Sequence, residues 1–185
     1  MNPSRNLFIV GPTGAGKTSI GRRLAVHYGL PFVDIDQEIE HQCGVDVSTV
    51  FEIEGEAGFR QRETAAIDEC SQRNGVLMAT GAGAVLAAYN RAYLLDRGYV
   101  VWLQASIAQQ LERLERDHHR PLLEVSDRHE RLQSMALIRE PLYRDVADLA
   151  VPGEHGSVAT ATERCIALID HYWQRHPLAS SQQTA

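Results

Sequence analysis

The sequence is short of lysine, cysteine and long apolar runs, and each shortage excludes something. Of its 18 lysines and arginines only Lys17 is a lysine, which leaves seventeen arginines. A position that keeps lysine against that bias calls for a compact ammonium rather than a planar fork. The lone lysine also rules out the N-K-x-D motif by which GTPases read their base. Cys43, Cys70 and Cys165 are odd in number and form no C-x-x-C pair. They suggest neither a disulfide framework nor a zinc site, and they read as buried small hydrophobes. No apolar run approaches the roughly 18–20 residues of a membrane helix. The apolar run near the N-terminus is too short for a signal-peptide core. These absences predict a cytoplasmic protein with no membrane partner. A net charge of −6 and a pI near 5.7, with no block of Lys or Arg, argue against a nucleic-acid partner.

What is present fits one soluble globular unit. The chain has 185 residues, 44% apolar and 23% charged, enough for one core and too few for two full domains. Residues 1–175 are expected to form a single domain, with a polar, disordered tail over 176–185. Short apolar runs at 6–10, 31–33, 75–79, 99–103 and, weakly, 149–151 read as buried strands. The second run leads into Asp34 and Asp36. Helical patterns fill the gaps: 18–28, a stretch through Glu40, 49–73, 106–116, 128–143 and 159–173. Strands alternating with helices mean βαβ units, hence an α/β fold with a parallel sheet covered on both faces. Residues 117–127 break the helical pattern and read as a mobile connection, part of a lid over about 113–127. Trp102 and Trp173 read as packing residues.

The strongest motif is GPTGAGKT at 11–18, which matches G-x-x-x-x-G-K-[ST] between a strand and an amphipathic helix. Glycines let successive N–H groups curve around phosphate oxygens, and the helix N-terminus adds its positive dipole end. Gly14, Ala15, Gly16, Lys17, Thr18 and Ser19 are the candidate nucleotide contacts. Lys17 reaches the β- and γ-phosphates and the Thr18 hydroxyl suits Mg²⁺. No candidate strand ends in the Asp-Glu pair of large ATPases, so a small phosphotransferase is the better class.

The remaining candidates are more ambiguous. Asp34 and Asp36 fall at a predicted strand end, where parallel sheets bind ligands. They suit Mg²⁺ support and acceptance of a substrate proton, or else a helix cap. Ile39 at the sixth position excludes an EF-hand loop. Arg60 and Glu63, three apart on a helix, read by spacing as a surface salt bridge. The segment TGAGA at 80–84 is either a strand–helix turn or a backbone that approaches a ligand. Leu86 stands where a dinucleotide fingerprint needs glycine. Arg113, Arg116 and Arg120 bracket the lid, which could carry Arg120 onto a phosphoryl group. His118 and His119 lack metal-ligand spacing and read as exposed. Arg139, four residues before Tyr143, is a surface charge or a second anion clamp.

Taken in order, these motifs resemble those of the shikimate kinases. The family pattern is a phosphate loop, then D-x-D, F-R-x-x-E, G-G-G-A-V, R-P-L-L and R-x-x-x-Y. The sequence shows DID at 34–36, FRQRE at 59–63, GAGAV at 81–85, RPLL at 120–123 and REPLY at 139–143, departing only at Ala82. The resemblance covers about 6–173. It implies a three-layer fold with a five-stranded parallel sheet in the order 2-3-1-4-5 and a mobile lid. It implies ATP and Mg²⁺ as cofactors, and shikimate as the small-molecule partner of a monomeric enzyme. The reaction would give shikimate 3-phosphate and ADP, a step towards chorismate and the aromatic amino acids. Arg60 and Arg139 would hold the substrate carboxylate. Asp36 would contact the ring hydroxyls and take the proton. The backbone at Gly81, Ala82 and Gly83 would touch substrate. Asp34 and Thr18 would order the metal, Lys17 and Arg120 would neutralise the transferred group, and Arg113 would lie near the adenine or its phosphates. The adenine pocket would close near 152–157. Related readings are a gluconate kinase and a non-catalytic nucleotide-binding paralogue.

Overall fold

The computed structural model describes residues 4–114, 127–153 and 156–173. Five strands, β1 (Leu7–Val10), β2 (Phe32–Asp34), β3 (Leu77–Ala79), β4 (Tyr99–Leu103) and β5 (Leu149–Val151), form one sheet. Its order is β2-β3-β1-β4-β5 and every pairing is parallel, with Ile9 opposite Ala79 on one side and Val101 on the other. The sequence predicts this class because parallel strands buried on both faces read as unbroken apolar runs.

Alternate residues feed two cores. Phe8, Val10, Met78 and Val100 pack on one face, against α2 (Ile35–Cys43), α3 (Val47–Ser71), α4 (Ala88–Arg97) and α6 (Arg128–Val146). Leu7, Ile9, Leu77 and Val101 pack on the other, against α1 (Lys17–Tyr28) and α7 (Val158–Tyr172). This period of two follows from the pleat of a strand. A smaller cluster joins α5 (Ile107–Leu114) to α6 through Leu114 and Leu132. Trp102 and Trp173 are buried packing residues, as expected. Cys70 and Cys165 are buried, whereas Cys43 is only partly so because it lies at the end of α2 beside Gly44.

Two boundaries differ from the sequence reading. Helix α2 starts at Ile35, so Asp36 stands on its first turn rather than at a strand end. The stretch from Val47 to Ser71 is two helical segments meeting at Gly55 (φ 68°, ψ −178°), a conformation that glycine allows. Glu54 and Arg62 pair across that bend. Among the described residues, no helix is long and apolar enough to cross a membrane. The expected tail, and residues 115–126 of the expected lid, lie outside the described residues.

Candidate active site

The C-terminal edge of the sheet carries a cavity of about 590 Å³. Its floor is the loop between β1 and α1. Gly14 (φ 76°) and Gly16 (φ 89°) adopt left-handed conformations. A side chain at Gly11 would run into the Leu103 carbonyl, so the loop lies hard against β4. Helix α1 begins at Lys17 with no side-chain cap and no acidic residue in its first turn. Its N–H groups therefore face the loop with no built-in anion to compete for them. Lys17 Nζ donates to Gly11 O and Pro12 O, both at 2.9 Å, which holds the ammonium over the loop. Arg113 Nη1 donates to Gly14 O at 2.8 Å, bringing that arginine to the phosphate loop. Gly14, Ala15, Gly16, Lys17, Thr18 and Ser19 all line the cavity.

Asp34 caps α2 and also reaches the phosphate loop. Its Oδ1 caps α2, accepting from Asp36 N at 3.1 Å and more distantly from Gln37 N. Its Oδ2 accepts from Thr18 Oγ1 at 2.7 Å. A hydroxyl and a carboxylate thus meet beside the loop, and they are hard oxygen donors of the type Mg²⁺ prefers. Among the described residues no cluster of three His, Cys, Asp or Glu side chains could hold a metal. The donor set therefore suits a cation that arrives with phosphate and water as its other ligands. Asp36 also lines the cavity, with Thr80 and Ala82 near it.

The Arg60–Glu63 pair is not on the surface, contrary to the reading from spacing. Arg60 Nη1 lies 2.7 Å from Glu63 Oε2, and the Glu63 side chain is 0% exposed. The reason lies in the turn after β3. A Cβ at Gly83 would strike the Arg60 guanidinium, and one at Gly81 would strike Glu63 Oε1. The two glycines make room for an ion pair that α3 presses against the turn. Burial pushes the Glu63 carboxyl up despite Arg60 beside it. Burial opposes the charge on Arg60, but Glu63 and Glu56 outweigh it and raise that pKa. The backbone at Ala82, between the glycines, has no positive φ, so its methyl costs no left-handed strain.

Arg139 is also buried, at 9% exposure. Its pKa is lowered, first by burial and further by the like charge of Arg60, with the Tyr143 hydroxyl working against the shift. Tyr143 Oη donates to Ala82 O at 2.5 Å. The structure thus draws Asp36, Arg60, Glu63, Gly81, Ala82, Gly83 and Arg139 to one edge of the sheet, beside the phosphate loop. Arg120, His118 and His119 lie outside the described residues.

The wall opposite the loop comes from residues that no motif marks. Pro152, Gly153, Gly156 and Ser157 line it, and Arg164 of α7 joins them. A side chain at Gly153 would collide with the Gln104 carbonyl, which is the one local signal of close approach there.

Comparison with known proteins follows the same outline. The family model for shikimate kinase matches residues 13–170. A shikimate kinase from Stenotrophomonas maltophilia is 47% identical over 180 residues, covering 97% of this chain and 100% of that protein. One from Actinobacillus succinogenes is 46% identical over 173 residues, covering 93% and 99%. The structure of a shikimate kinase from Acinetobacter baumannii in complex with shikimate superposes with a TM-score of 0.87 at 42% identity, over 90% of this chain and 93% of that one.

Proposed function

The chain belongs to the shikimate kinase family, and on that premise we propose that it phosphorylates shikimate with ATP. The reaction moves the γ-phosphoryl group to the 3-hydroxyl and gives shikimate 3-phosphate and ADP. One observation supports this reading most. A phosphate loop, a half-buried Arg60 and a buried Arg139 stand on the same sheet edge with Asp36. Such a site can hold a triphosphate at one end and a small hydroxylated carboxylate at the other.

In this reading the loop residues from Gly14 to Ser19 cradle the phosphates, and Lys17 balances charge on the group in transfer. Arg113, held to the loop by Gly14 O, lies on the nucleotide side. Thr18 and Asp34 would hold Mg²⁺, which would supply positive charge against the phosphates. Arg60 and Arg139 clamp the acceptor carboxylate, since a guanidinium fork matches it. The Gly81, Ala82 and Gly83 backbone lies along the acceptor ring. Asp36 orients the acceptor hydroxyl and accepts its proton as the new P–O bond forms. Arg120, from the lid over about 113–127, adds positive charge to the transferring group and helps to exclude water. The enzyme works in the cytoplasm as a monomer.

A coupled assay for ADP tests the proposal, with ATP·Mg²⁺ and shikimate, gluconate or no acceptor. Release that depends on shikimate is the expected result. Release with gluconate and not with shikimate overturns the acceptor. No release with either marks a nucleotide-binding protein without this chemistry.

A further inference from the structure

Tyr143 connects two parts of the acceptor side that come from distant stretches of chain. It lies one turn after Arg139 on α6, and it is 1% exposed. Its hydroxyl donates to Ala82 O, 61 residues away, at 2.5 Å. Arg139 and Tyr143 are electrostatically coupled. Burial pushes the Tyr143 hydroxyl well above the usual tyrosine range, so it keeps the proton it donates. Trp102 stacks on the ring with centroids 5.8 Å apart and planes at 29°, which fixes the ring from the sheet side.

Arg139 needs such an anchor. Among the described residues no ion pair includes it, whereas Arg60 is tied to both Glu56 and Glu63. Arg60 and Arg139 repel each other, as their electrostatic coupling shows. Without a tether the Arg139 fork has no reason to keep one orientation before an anion binds. The carbonyl of Ala82 has an equivalent need, because it belongs to a turn flanked by two glycines.

We propose that Tyr143 is a positioning residue for the acceptor: its hydroxyl donates to Ala82 O and offers its oxygen to Arg139, one turn earlier on α6, so that the clamp and the turn are set as one unit. The idea rests on the acceptor reading above for its kinetic consequence, but not for its structural one. Tyr143 itself touches no reacting atom. It acts through Arg139 and through the backbone of the turn from Gly81 to Gly83.

Tyr143→Phe keeps the ring, the stacking and the volume, and deletes only the hydroxyl. The KM for shikimate should rise about tenfold, the scale of one lost hydrogen bond to a charged group. The KM for ATP and kcat should stay within about threefold. In an Arg139→Lys background the same substitution should raise the shikimate KM less than about twofold further, because the guanidinium fork that Tyr143 orients is already gone. Amide hydrogen exchange over 81–84 of the ligand-free protein should quicken in Tyr143→Phe, with α1 unchanged. This last arm uses no substrate, so it decides the structural link even if shikimate turnover by the unsubstituted enzyme fails. An unchanged shikimate KM, full additivity with Arg139→Lys or unaltered exchange at 81–84 would overturn the proposal. A lower Tm with kinetics and exchange intact would overturn it too, by showing that Tyr143 only fills the core.

Discussion

The two ends of the sheet treat buried polar groups in opposite ways. At the N-terminal end the Asn6 amide donates to Ser71 O, Arg73 O and Arg97 O at 3.2, 2.8 and 3.0 Å. Its carbonyl accepts from Gly75 N at 2.8 Å and Val76 N at 3.0 Å. One side chain thus joins the entries to β1, β3 and β4 with its polar atoms satisfied. At the C-terminal end Arg60 Nε, Glu63 Oε1 and Trp102 Nε1 are buried with no hydrogen-bond partner among the described residues. Buried polar atoms without partners are costly, and native proteins keep few of them. Their concentration on the edge that carries the phosphate loop separates an end built for stability from one shaped around ligands.

Substitutions can sharpen or break that contrast. Lys17→Arg should have the largest effect, at the C-terminal end and on rate alone. Turnover should fall at least ~100-fold, upward of about 2.7 kcal/mol of transition-state stabilisation. The melting temperature should not change. Near-normal turnover in a steady-state assay would deny the lone lysine its phosphate role. Asn6→Ala should show the converse. It leaves Gly75 N and Val76 N unpaired inside the protein and should cost about 2 kcal/mol in urea unfolding. The kcat at 25 °C should stay within about twofold, and a large loss of kcat would show that the two ends are not separable.

Glu63→Gln probes the open end through pH. Burial raises the Glu63 carboxyl above the usual carboxylate range. The folded state then keeps this proton where the unfolded state has lost it. Stability is fullest below the unfolded pKa, and falls as pH rises from there through the folded value. Unfolding curves measured across that window should show a shallower decline in Glu63→Gln than in the unsubstituted protein. Parallel declines would mean that Glu63 titrates normally. Ala82→Gly should have the smallest effect, under about threefold on shikimate affinity and turnover, which is less than 1 kcal/mol. A gain of ~100-fold would show that the Ala82 methyl obstructs the acceptor.

The local features of the site were open to a reader of the sequence. The phosphate loop is eight consecutive residues whose glycines set the backbone turn, so spacing alone identified it. The Asp34 cap is likewise local, reaching only to Asp36 N and Gln37 N. Arg60 and Glu63 were visible as a pair, but the burial of Glu63 was not. That depends on Gly81 and Gly83, about twenty positions later, whose missing side chains admit the ion pair. The wall at Gly156, Ser157 and Arg164 carried no motif, because it contributes shape more than it contributes a reacting group.

By itself the sequence determined the class of fold and the phosphate-binding element. Strand periodicity, βα alternation and a contiguous loop are short-range properties, governed by backbone sterics and by neighbours a few residues apart. Only the tertiary structure decided that Glu63 is buried against a half-buried Arg60, that Asp34 reaches Thr18, and that the Tyr143 hydroxyl meets Ala82 O. Those facts come from which surfaces the sheet order brings together. Residues distant along the chain acquire their burial, their charge environment and their partners in the same packing step.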